Sequence, residues 1–517
     1  MLCNDETKGF NMAVRMNRRE ISRRDRRRWG SATAIALALG VLTATPARAA
    51  PPPIMTVVTD DGTTKPDSDP MAFLHNWRRD GALFGDLWGL RRDMAAHGIS
   101  LTIQETSEAL GNVSGGTHRS LDYDGLTQAI LQVNSQRAFG YYGGTFNASA
   151  LQIHGINLSA RNLDTLQTAS GIESDRATRL WELWYDQKLL PEDRLDIRLG
   201  QQSLDQEWMV STGALAFVNT MFGWPMVPSA DMPGGGPAYP LSAPGVRVRY
   251  RLKPGVNLQL GAFSGSPFRM SNAQAQTLGI DPQVADPSGT SFPLYRHGAL
   301  LMAELQYSAP ALGGMVVPGA AQPLARTYRL GVWYDSEQFA DQRYGADGLP
   351  LAAPASDGVP RFHRGNLGIY AVADQMLWRS TVDPNRSLSA FTRVMGTPFA
   401  DRNPISFSAN LGLTLKDPFP YRTDDTLGIG MGFARVSPAL TEADGDALAL
   451  TGTYTPRRTS ETFVEATYQR QVTPWLQLQP DAQYVFNPGG GIADPNATTN
   501  RRVGNELVLG LRANIAL

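Results

Sequence analysis

The chain has 517 residues, with 47 lysine and arginine residues against 48 aspartate and glutamate residues and a formal net charge of −1. This balance leaves no basic surface of the kind that binds nucleic-acid phosphates, so nucleic acid is not an expected partner. A mean hydropathy of −0.25 argues against a helical membrane protein, whose spans need about 20 apolar residues each, but it is compatible with a transmembrane β-barrel.

The first 49 residues have the pattern of an export signal. An arginine-rich stretch precedes an apolar run at residues 32–42, and Ala47-Arg48-Ala49 has the small-x-small pattern of a cleavage site. We expect cleavage after Ala49, which removes the single cysteine, Cys3, and leaves no thiol for a disulfide. Residues 50–70 are predicted to form a flexible leader. Apolar residues at helical spacing then predict a short helical region over residues 71–98.

From Ile99 to the C-terminus, apolar and polar residues alternate with a period of two. In the last segment Leu507, Leu509 and Leu511 lie on one side, while Glu506 and Arg512 lie on the other. Turn sequences separate segments of about ten residues, which is typical of transmembrane β-barrels. At about 29 residues for each strand with its loop, residues 99–517 predict roughly sixteen strands.

A soluble β-sandwich or β-propeller shows the same alternation. Here the apolar faces carry tyrosines near the strand ends, including Tyr250, Tyr307 and Tyr334, as aromatic girdles do at a membrane surface. We therefore predict an all-β fold, an antiparallel transmembrane β-barrel. The uncharged residues 208–230 include serine, threonine, asparagine, glycine and proline, so we expect an inward-folded loop or strand pair there rather than a transmembrane helix.

The sequence lacks the motifs of the common enzyme classes. It contains no G-x-S-x-G, no P-loop and no H-E-x-x-H, and its six histidines have no metal-ligand spacing. Gly428, Gly430 and Gly432 alternate with larger residues, which favours a glycine-faced strand over a nucleotide-binding turn. We therefore predict no catalytic residue, no metal site, no cofactor and no enzymatic activity.

If the apolar faces meet lipid, the polar faces line a lumen with charges of both signs. Successive arginines at positions 247, 249 and 251 are the sharpest candidates, because guanidinium groups offer several donors to sugar hydroxyls. Aromatic rings could stack on sugars. The candidate pore-lining or sugar-contacting residues are Arg194, Asp196, Arg198, Arg247, Arg249, Arg251, Glu182, Trp184, Glu304, Trp333, Asp335 and Tyr370. For any single residue, pairing across strands that merely braces the barrel is an equal alternative.

Several motifs go beyond this strand pattern. They include Gly85-Asp86-Leu87-Trp88-Gly89-Leu90-Arg91, Leu183-Trp184-Tyr185-Asp186-Gln187, Arg198-Leu199-Gly200-Gln201 and Gly368-Ile369-Tyr370-Ala371-Val372-Ala373-Asp374-Gln375. Together they resemble the carbohydrate-selective porins, the OprB-type family of Gram-negative outer membranes, from about Gly85 to the C-terminus. The resemblance implies a sixteen-stranded outer-membrane barrel through which saccharides, especially monosaccharides, diffuse passively.

The resemblance also implies partners. These are saccharide substrates, outer-membrane lipid and lipopolysaccharide, and the barrel-assembly machinery, while a monomer and a trimer both stay open. Such barrels commonly end in an aromatic residue that the insertion machinery recognises, whereas this sequence ends in Leu517. Two other functions remain as alternatives. One is a general or anion-preferring porin, and the other is an exported soluble glycan-binding β-protein or hydrolase.

Overall fold

The computed structural model of the chain describes residues 80–294, 297–310, 323–420, 422, 424–452, 454–497 and 501–517. The predicted export signal at residues 1–49, the predicted leader at 50–70 and the first part of the predicted helical region lie outside these residues. The remainder of that region contains helix α1, Leu90–Ala96. A short helix near the N-terminal region is thereby confirmed.

The alternating segments form antiparallel strands that close on themselves. Within the described residues sixteen strands pair in sequence order, and β1 pairs with β16 to complete the barrel. The predicted sixteen-stranded barrel is confirmed. The strands are β1 Ile99–Ser114, β2 Leu121–Asn134, β3 Gly144–Gly155, β4 Ala177–Leu189, β5 Leu195–Gln202, β6 Ala243–Lys253, β7 Val256–Ser264, β8 Ala299–Ala309, β9 Arg326–Gly345, β10 Pro360–Arg379, β11 Ser387–Gly396, β12 Ile405–Lys416, β13 Thr426–Val436, β14 Ser460–Thr473, β15 Leu476–Phe486 and β16 Glu506–Ala516.

The barrel has one end with short turns and one end with long loops. Two residues join β6 to β7 and β14 to β15, whereas residues 156–176, 203–242 and 265–298 form long connections at the opposite end. In outer-membrane barrels the long loops are extracellular. Helix α1 lies at the short-turn end, where Leu83 donates a backbone hydrogen bond of 2.7 Å to Ala516.

The remaining helices lie in the connections. No helix in the described part of the chain is long and apolar enough to cross a membrane. The helices are α2 Ser135–Phe139, α3 Thr220–Gly223, α4 Met226–Asp231, α5 Asn272–Leu278, α6 Pro282–Ala285 and α7 Pro438–Thr451, with a π-helical turn at Ser159–Leu163 and 3-10 turns at Pro191–Asp193, Leu204–Gln206, Ala214–Ala216, Pro233–Gly235 and Pro488–Gly490.

Two of the long connections fold into the barrel and contact its inner wall. We call residues 156–176 the first inner segment and residues 203–242 the second inner segment. The second is built of 3-10 turns and short helices, so the uncharged residues 208–230 form an inward-folded loop, as expected. Phe222 of α3 is 1 % exposed and packs against Phe391 of β11 and Phe463 of β14, with ring centroids 5.7 and 5.4 Å away.

The glycines of β13 leave space for the aromatic cluster, which we define as Phe217, Phe222, Phe391 and Phe463. A Cβ atom added at Gly430 would lie 2.6 Å from Cζ of Phe222 and 2.9 Å from Cε1 of Phe217. Both distances are shorter than van der Waals contact, so a larger residue there would displace the rings. The predicted glycine-faced strand is therefore observed, and its glycines make room for the second inner segment.

Candidate functional site

Strand register brings charged residues of β4, β5 and β6 together on the lumen face. Asp186 of β4 lies opposite Arg198 of β5, and Arg198 lies opposite Arg247 of β6. One step toward the short-turn end, Asp196 lies opposite Arg249. Directly opposed residues share a face of a sheet, so their side chains converge.

Glu207, which directly follows the 3-10 turn Leu204–Gln206 of the second inner segment, completes this group. We call Asp186, Asp196, Arg198, Glu207, Arg247 and Arg249 the arginine–carboxylate cluster. Arg247 lies at its centre with no exposed side-chain surface, and it binds Asp186 at 2.8 Å, Glu207 at 2.9 Å and Asp196. Three guanidinium groups face three carboxylates, so the formal charges of the cluster cancel.

The other two arginines reach the open lumen. Arg198 binds Asp186 and Glu207, each at 3.0 Å, and its Cζ lies 3.8 Å from the ring centroid of Trp184. Arg249 binds Glu207 at 3.3 Å and donates to Gln259 at 3.0 Å. The side chain of Arg249 is 32 % exposed and that of Arg198 is 15 % exposed. Their positions are fixed by neighbours while some of their donors remain available.

The charge state of Glu207 is set by its surroundings. Burial raises the pKa of this carboxyl group, but the positive charges of Arg198, Arg249 and Arg247 outweigh burial and lower the pKa to about 2. Glu207 is therefore ionised at neutral pH. Its negative charge is then available to the three arginines.

A second polar group adjoins the cluster on β8, β9 and β10. Glu304 accepts hydrogen bonds from the Tyr370 hydroxyl at 2.8 Å and from the backbone N–H of Met209 at 3.0 Å. Arg329 binds Glu304 and also the backbone carbonyl of Glu207, both at 3.2 Å. The second inner segment is thus fixed against this part of the wall.

On the opposite wall, charged side chains bind the backbone of the inner segments. The Glu465 carboxylate accepts from the N–H groups of Val218 and Asn219 at 2.6 and 3.0 Å. Glu461, four residues earlier on β14, accepts from those of Leu166 and Gln167, both at 2.8 Å. Each carboxylate satisfies two consecutive donors in a loop that has no strand partner.

Arg393 of β11 acts in the same way on carbonyl groups. It donates to Gly223 at 3.0 Å, to Met209 at 3.3 Å and to Met221, and it is 1 % exposed. A guanidinium group with several donors in one plane can satisfy several carbonyls of a turning chain.

The structure brings together some of the predicted site residues. Asp196, Arg198, Arg247, Arg249 and Trp184 meet in or beside the cluster, and Glu304 meets Tyr370. Trp333 and Tyr370 are 1 and 2 % exposed, because the second inner segment covers the wall there. Their rings offer no free face to a sugar in this arrangement.

The remaining predicted residues lie apart from the cluster. Glu182 accepts from the backbone N–H of Ser203 at 3.0 Å, and Asp335 accepts from that of Glu337 at 2.9 Å. Both are buried. Arg251 binds the carbonyl of Glu192 at the short-turn end.

Arg194 differs from the expectation. It precedes β5 with φ −72° and ψ −23°, which is helical rather than extended backbone. Because Arg194 lies outside the strand, the alternation of side chains between lumen and lipid does not determine where its side chain points. Its guanidinium lies 5.6 Å from the ring centroid of Tyr250, whose side chain alternates with lumen-facing Arg249 and points outward.

Sequence reasoning missed Glu207 and the residues that bind the inner segments. Glu207 lies in an irregular loop, where no periodicity assigns a side chain to a face. Glu461 and Glu465 do alternate with outward residues on β14, so the strand pattern carried a signal for their position. The strand pattern gave no signal for the backbone groups that these carboxylates bind. Val218, for example, lies 247 residues before Glu465 in the sequence.

The arrangement offers hydrogen bonding rather than covalent chemistry. Fixed N–H donors and carboxylate acceptors stand side by side on a partly exposed wall, which suits the mixed donor and acceptor character of hydroxyl groups. In the described ranges, no three His, Cys, Asp or Glu residues are grouped so that they could hold a metal ion.

Comparison with known proteins agrees with the barrel fold. A family model described as "Carbohydrate-selective porin, OprB family" matches residues 118–517. Porin B of Pseudomonas aeruginosa is 25 % identical over 434 residues, covering 79 % of this chain and 87 % of that protein. The putative porin QuiX of Acinetobacter baylyi is 22 % identical over 436 residues, covering 80 and 90 %. The high-pH structure of Pseudomonas putida OprB superposes with a TM-score of 0.70 at 24 % identity, covering 84 % of this chain and 98 % of that one, which supports the fold.

Proposed function

The chain belongs to the carbohydrate-selective porin (OprB) family of Gram-negative outer membranes and is a channel rather than an enzyme. On this premise we propose that saccharides, with monosaccharides preferred, diffuse passively past the arginine–carboxylate cluster. Family membership and the closed barrel exclude the soluble glycan-binding alternative. The observation that carries the proposal is the pairing of three arginines with three carboxylates on a partly exposed lumen wall.

The cancelled charges support selectivity for uncharged solutes. A wall with one sign of charge attracts counter-ions, whereas a paired wall has a small net field and still presents donors and acceptors. A sugar can exchange hydrogen bonds with water for bonds to Arg249, Arg198 and Asp196. Because these side chains already have partners, each new contact is weak, and weak contacts allow release on either side.

Exposure separates the proposed roles of the candidate residues. Arg198, Arg249, Asp196 and Arg329, each with 15 to 32 % of the side chain exposed, are the proposed sugar contacts. The buried candidates Arg247, Glu304, Trp184, Trp333 and Tyr370 hold these contacts in place. The face of the Trp184 ring supports the Arg198 guanidinium instead of a sugar ring.

Liposome swelling tests this proposal. Purified barrel is reconstituted, and the entry rates of a monosaccharide, a disaccharide and an amino acid of similar size to the monosaccharide are compared with those of protein-free liposomes. We expect the monosaccharide to enter fastest. Equal entry of the sugar and the amino acid would contradict saccharide selectivity and leave a general porin.

An anion-preferring channel is the second candidate. Arg251 faces the lumen near the short-turn end, where its side-chain partner in the described part of the chain is the backbone carbonyl of Glu192. An uncompensated cation at a pore mouth attracts anions. The reversal potential across a bilayer with a salt gradient separates the two candidates, because the sugar channel is expected to show only a weak preference for either ion.

The proposal includes export by the N-terminal signal, with cleavage after Ala49. N-terminal sequencing of the protein from outer membranes tests this, and a start at Ala50 is expected. Contacts with lipopolysaccharide and with the barrel-assembly machinery remain predictions of the same proposal.

A further inference from the structure

The hairpin of β9 and β10 extends beyond the neighbouring strands at the long-loop end. β8 pairs with β9 up to Asp335, and β11 pairs with β10 from Ile369 onward. Beyond these points, residues 336–345 of β9 and 360–364 of β10 have only each other as strand partners in the described sheet. We call these two stretches the post, because they stand above the rim of the barrel.

Helix α7 comes from a different part of the barrel but is attached to this post. It connects β13 to β14, which are four and five strands away from β9. Arg343 of the post forms a bidentate ion pair with Asp446 of α7, with Nε 2.6 Å from Oδ2 and Nη2 3.1 Å from Oδ1. The same guanidinium binds Glu442. Glu442 and Asp446 are four residues apart, so they lie on the same side of the helix.

The packing of α7 places it over the interior of the barrel. Leu440 in its first turn is 2 % exposed and belongs to the same buried apolar cluster as Met226 and Val227 of the second inner segment. The strands form a closed ring, so a helix that is fixed near β13 and again at β9 crosses a sector of the opening between them. Helix α7 therefore covers part of the mouth at the long-loop end.

The two attachments of α7 differ in burial. Near β14, Asp444 binds the Arg458 guanidinium at 2.6 Å and accepts from the Arg458 backbone N–H at 2.9 Å, and these side chains are 1 and 10 % exposed. At the post, Arg343, Asp446 and Glu442 are 23, 19 and 57 % exposed. Water and salt screen exposed charges more than buried ones. The attachment to the post is thus the one that opens more easily while the other end stays fixed.

We propose that α7 is a size filter over the long-loop mouth and that Arg343 is the positioning residue that holds it there. With the ion pairs formed, α7 narrows the opening between β9 and β13. Without them, the helix keeps only its attachment near β14 and swings away from the post, which widens the opening. For saccharides the inference rests on the proposed function, because it adds a size limit at the entrance to the arginine–carboxylate cluster.

Polymer exclusion in planar bilayers tests the size filter without sugars. Polyethylene glycols of increasing mass are added to each side in turn, and a polymer that enters a mouth lowers the conductance even when it does not cross the channel. The exclusion mass is the mass above which this drop disappears. For Arg343→Ala we expect the exclusion mass to rise about twofold on the long-loop side and to stay unchanged on the short-turn side.

The matched control is Arg361→Ala on the other arm of the post. Arg361 is exposed and forms no ion pair with the residues that the structure describes, so its exclusion masses should equal those of the parent. Asp446→Asn weakens the attachment from the side of α7 and carries the test if Arg343→Ala does not insert. A smaller rise on the long-loop side is expected for it, because Glu442 still binds Arg343.

A charge exchange separates positioning from a general effect on folding. Arg343→Glu places a third carboxylate against Glu442 and Asp446, and it should raise the exclusion mass as Arg343→Ala does. Combining Arg343→Glu with Asp446→Arg restores an ion pair of reversed direction. We expect this double variant to return to the exclusion mass of the parent on the long-loop side.

Equal exclusion masses for Arg343→Ala and Arg361→Ala would overturn the proposal. A rise of the same size on both sides would also contradict it, since that result indicates a loosened barrel. Liposome swelling keeps this outcome apart from failure of the proposed function. If the parent admits a monosaccharide faster than the amino acid but Arg343→Ala shifts no exclusion mass, the size filter fails alone. If the exclusion mass shifts but sugar and amino acid enter equally, saccharide selectivity fails alone.

Discussion

Two walls of the same lumen use the same residue types for different purposes. On the paired wall, formed by β4, β5 and β6, Arg198 and Arg249 bind carboxylates and remain partly exposed. On the clamping wall, which includes β11 and β14, Arg393, Glu461 and Glu465 are almost fully buried and bind backbone groups of the inner segments. A charged residue that faces the lumen is therefore not by itself a pore residue. Its role depends on whether a folded-in segment covers it.

The difference has an energetic cause. The inner segments have backbone groups that no neighbouring strand can satisfy, and a buried unsatisfied group costs about 1–3 kcal/mol. Charged side chains of the clamping wall meet that need with two or three bonds each. On the paired wall the side chains satisfy one another instead, so their remaining donors can face the open lumen.

Replacing Arg393 is expected to have the largest effect. Arg393→Met keeps an apolar stem but leaves the carbonyls of Met209, Met221 and Gly223 without this donor. At about 1–3 kcal/mol for each buried group, the second inner segment should lose several kcal/mol of anchoring. We expect higher and noisier single-channel conductance in planar bilayers. The control is Arg470→Met at an exposed position of β14, and parental conductance for Arg393→Met would show that the clamp is dispensable.

Arg247 and Arg249 allow a matched comparison within the paired wall. Arg247→Ala leaves three carboxylates without their shared cation, which typically costs about 3–5 kcal/mol at a buried site, so urea unfolding in detergent should show a marked loss of stability. Arg249→Ala removes a partly exposed donor and should leave the barrel stable. Its preference for a monosaccharide over an amino acid should fall about fivefold, equivalent to about 1 kcal/mol. Unchanged transport in both variants would refute the proposed role of these arginines.

Gly430→Ala tests the surface beneath the aromatic cluster. The added methyl group would lie 2.6 Å from the Phe222 ring, so the ring must shift, at a cost of about 1–3 kcal/mol. A lower midpoint of urea unfolding is expected. Gly396→Ala is the control, because the nearest atom there is 3.5 Å away. Equal midpoints for the two variants would mean that the second inner segment adapts without loss.

The sequence was sufficient to predict the barrel and the lumen-facing side of its strands. Arg198, Arg247 and Arg249 were placed on the correct face because the period of two survives throughout β5 and β6. The alternation does not reveal which inward side chains are covered. Trp333 and Tyr370 have the pattern of pore residues, yet the second inner segment, which lies far earlier in the sequence, buries them. Arg194 was misplaced because the extended backbone begins only at Leu195.

Acidification gives the smallest expected effect and separates two carboxyl groups of the second inner segment. Three arginines hold the folded-state pKa of Glu207 at about 2, below its ordinary 4.5. Its contribution to stability is therefore complete above pH 4.5 and is lost as the pH falls through about 2. Asp231 of α4 is buried and accepts one backbone hydrogen bond at 3.2 Å. Burial raises its pKa well above 3.8, so its contribution is complete below pH 3.8 and is lost as the pH rises through the folded-state pKa.

The two substitutions should therefore respond to pH in opposite ways. Relative to the parent, the stability deficit of Glu207→Gln should stay constant from pH 8 to pH 5 and shrink only in stronger acid. Asp231→Asn removes a buried carboxyl group whose ionisation destabilises the folded state. The unfolding free energy of this variant should therefore increase relative to that of the parent as the pH rises. Urea unfolding in detergent at several pH values measures both. A deficit of Glu207→Gln that changes between pH 8 and pH 5 would show that the three arginines do not keep Glu207 ionised, and the balance of charge on the paired wall would then fail as the basis of its selectivity.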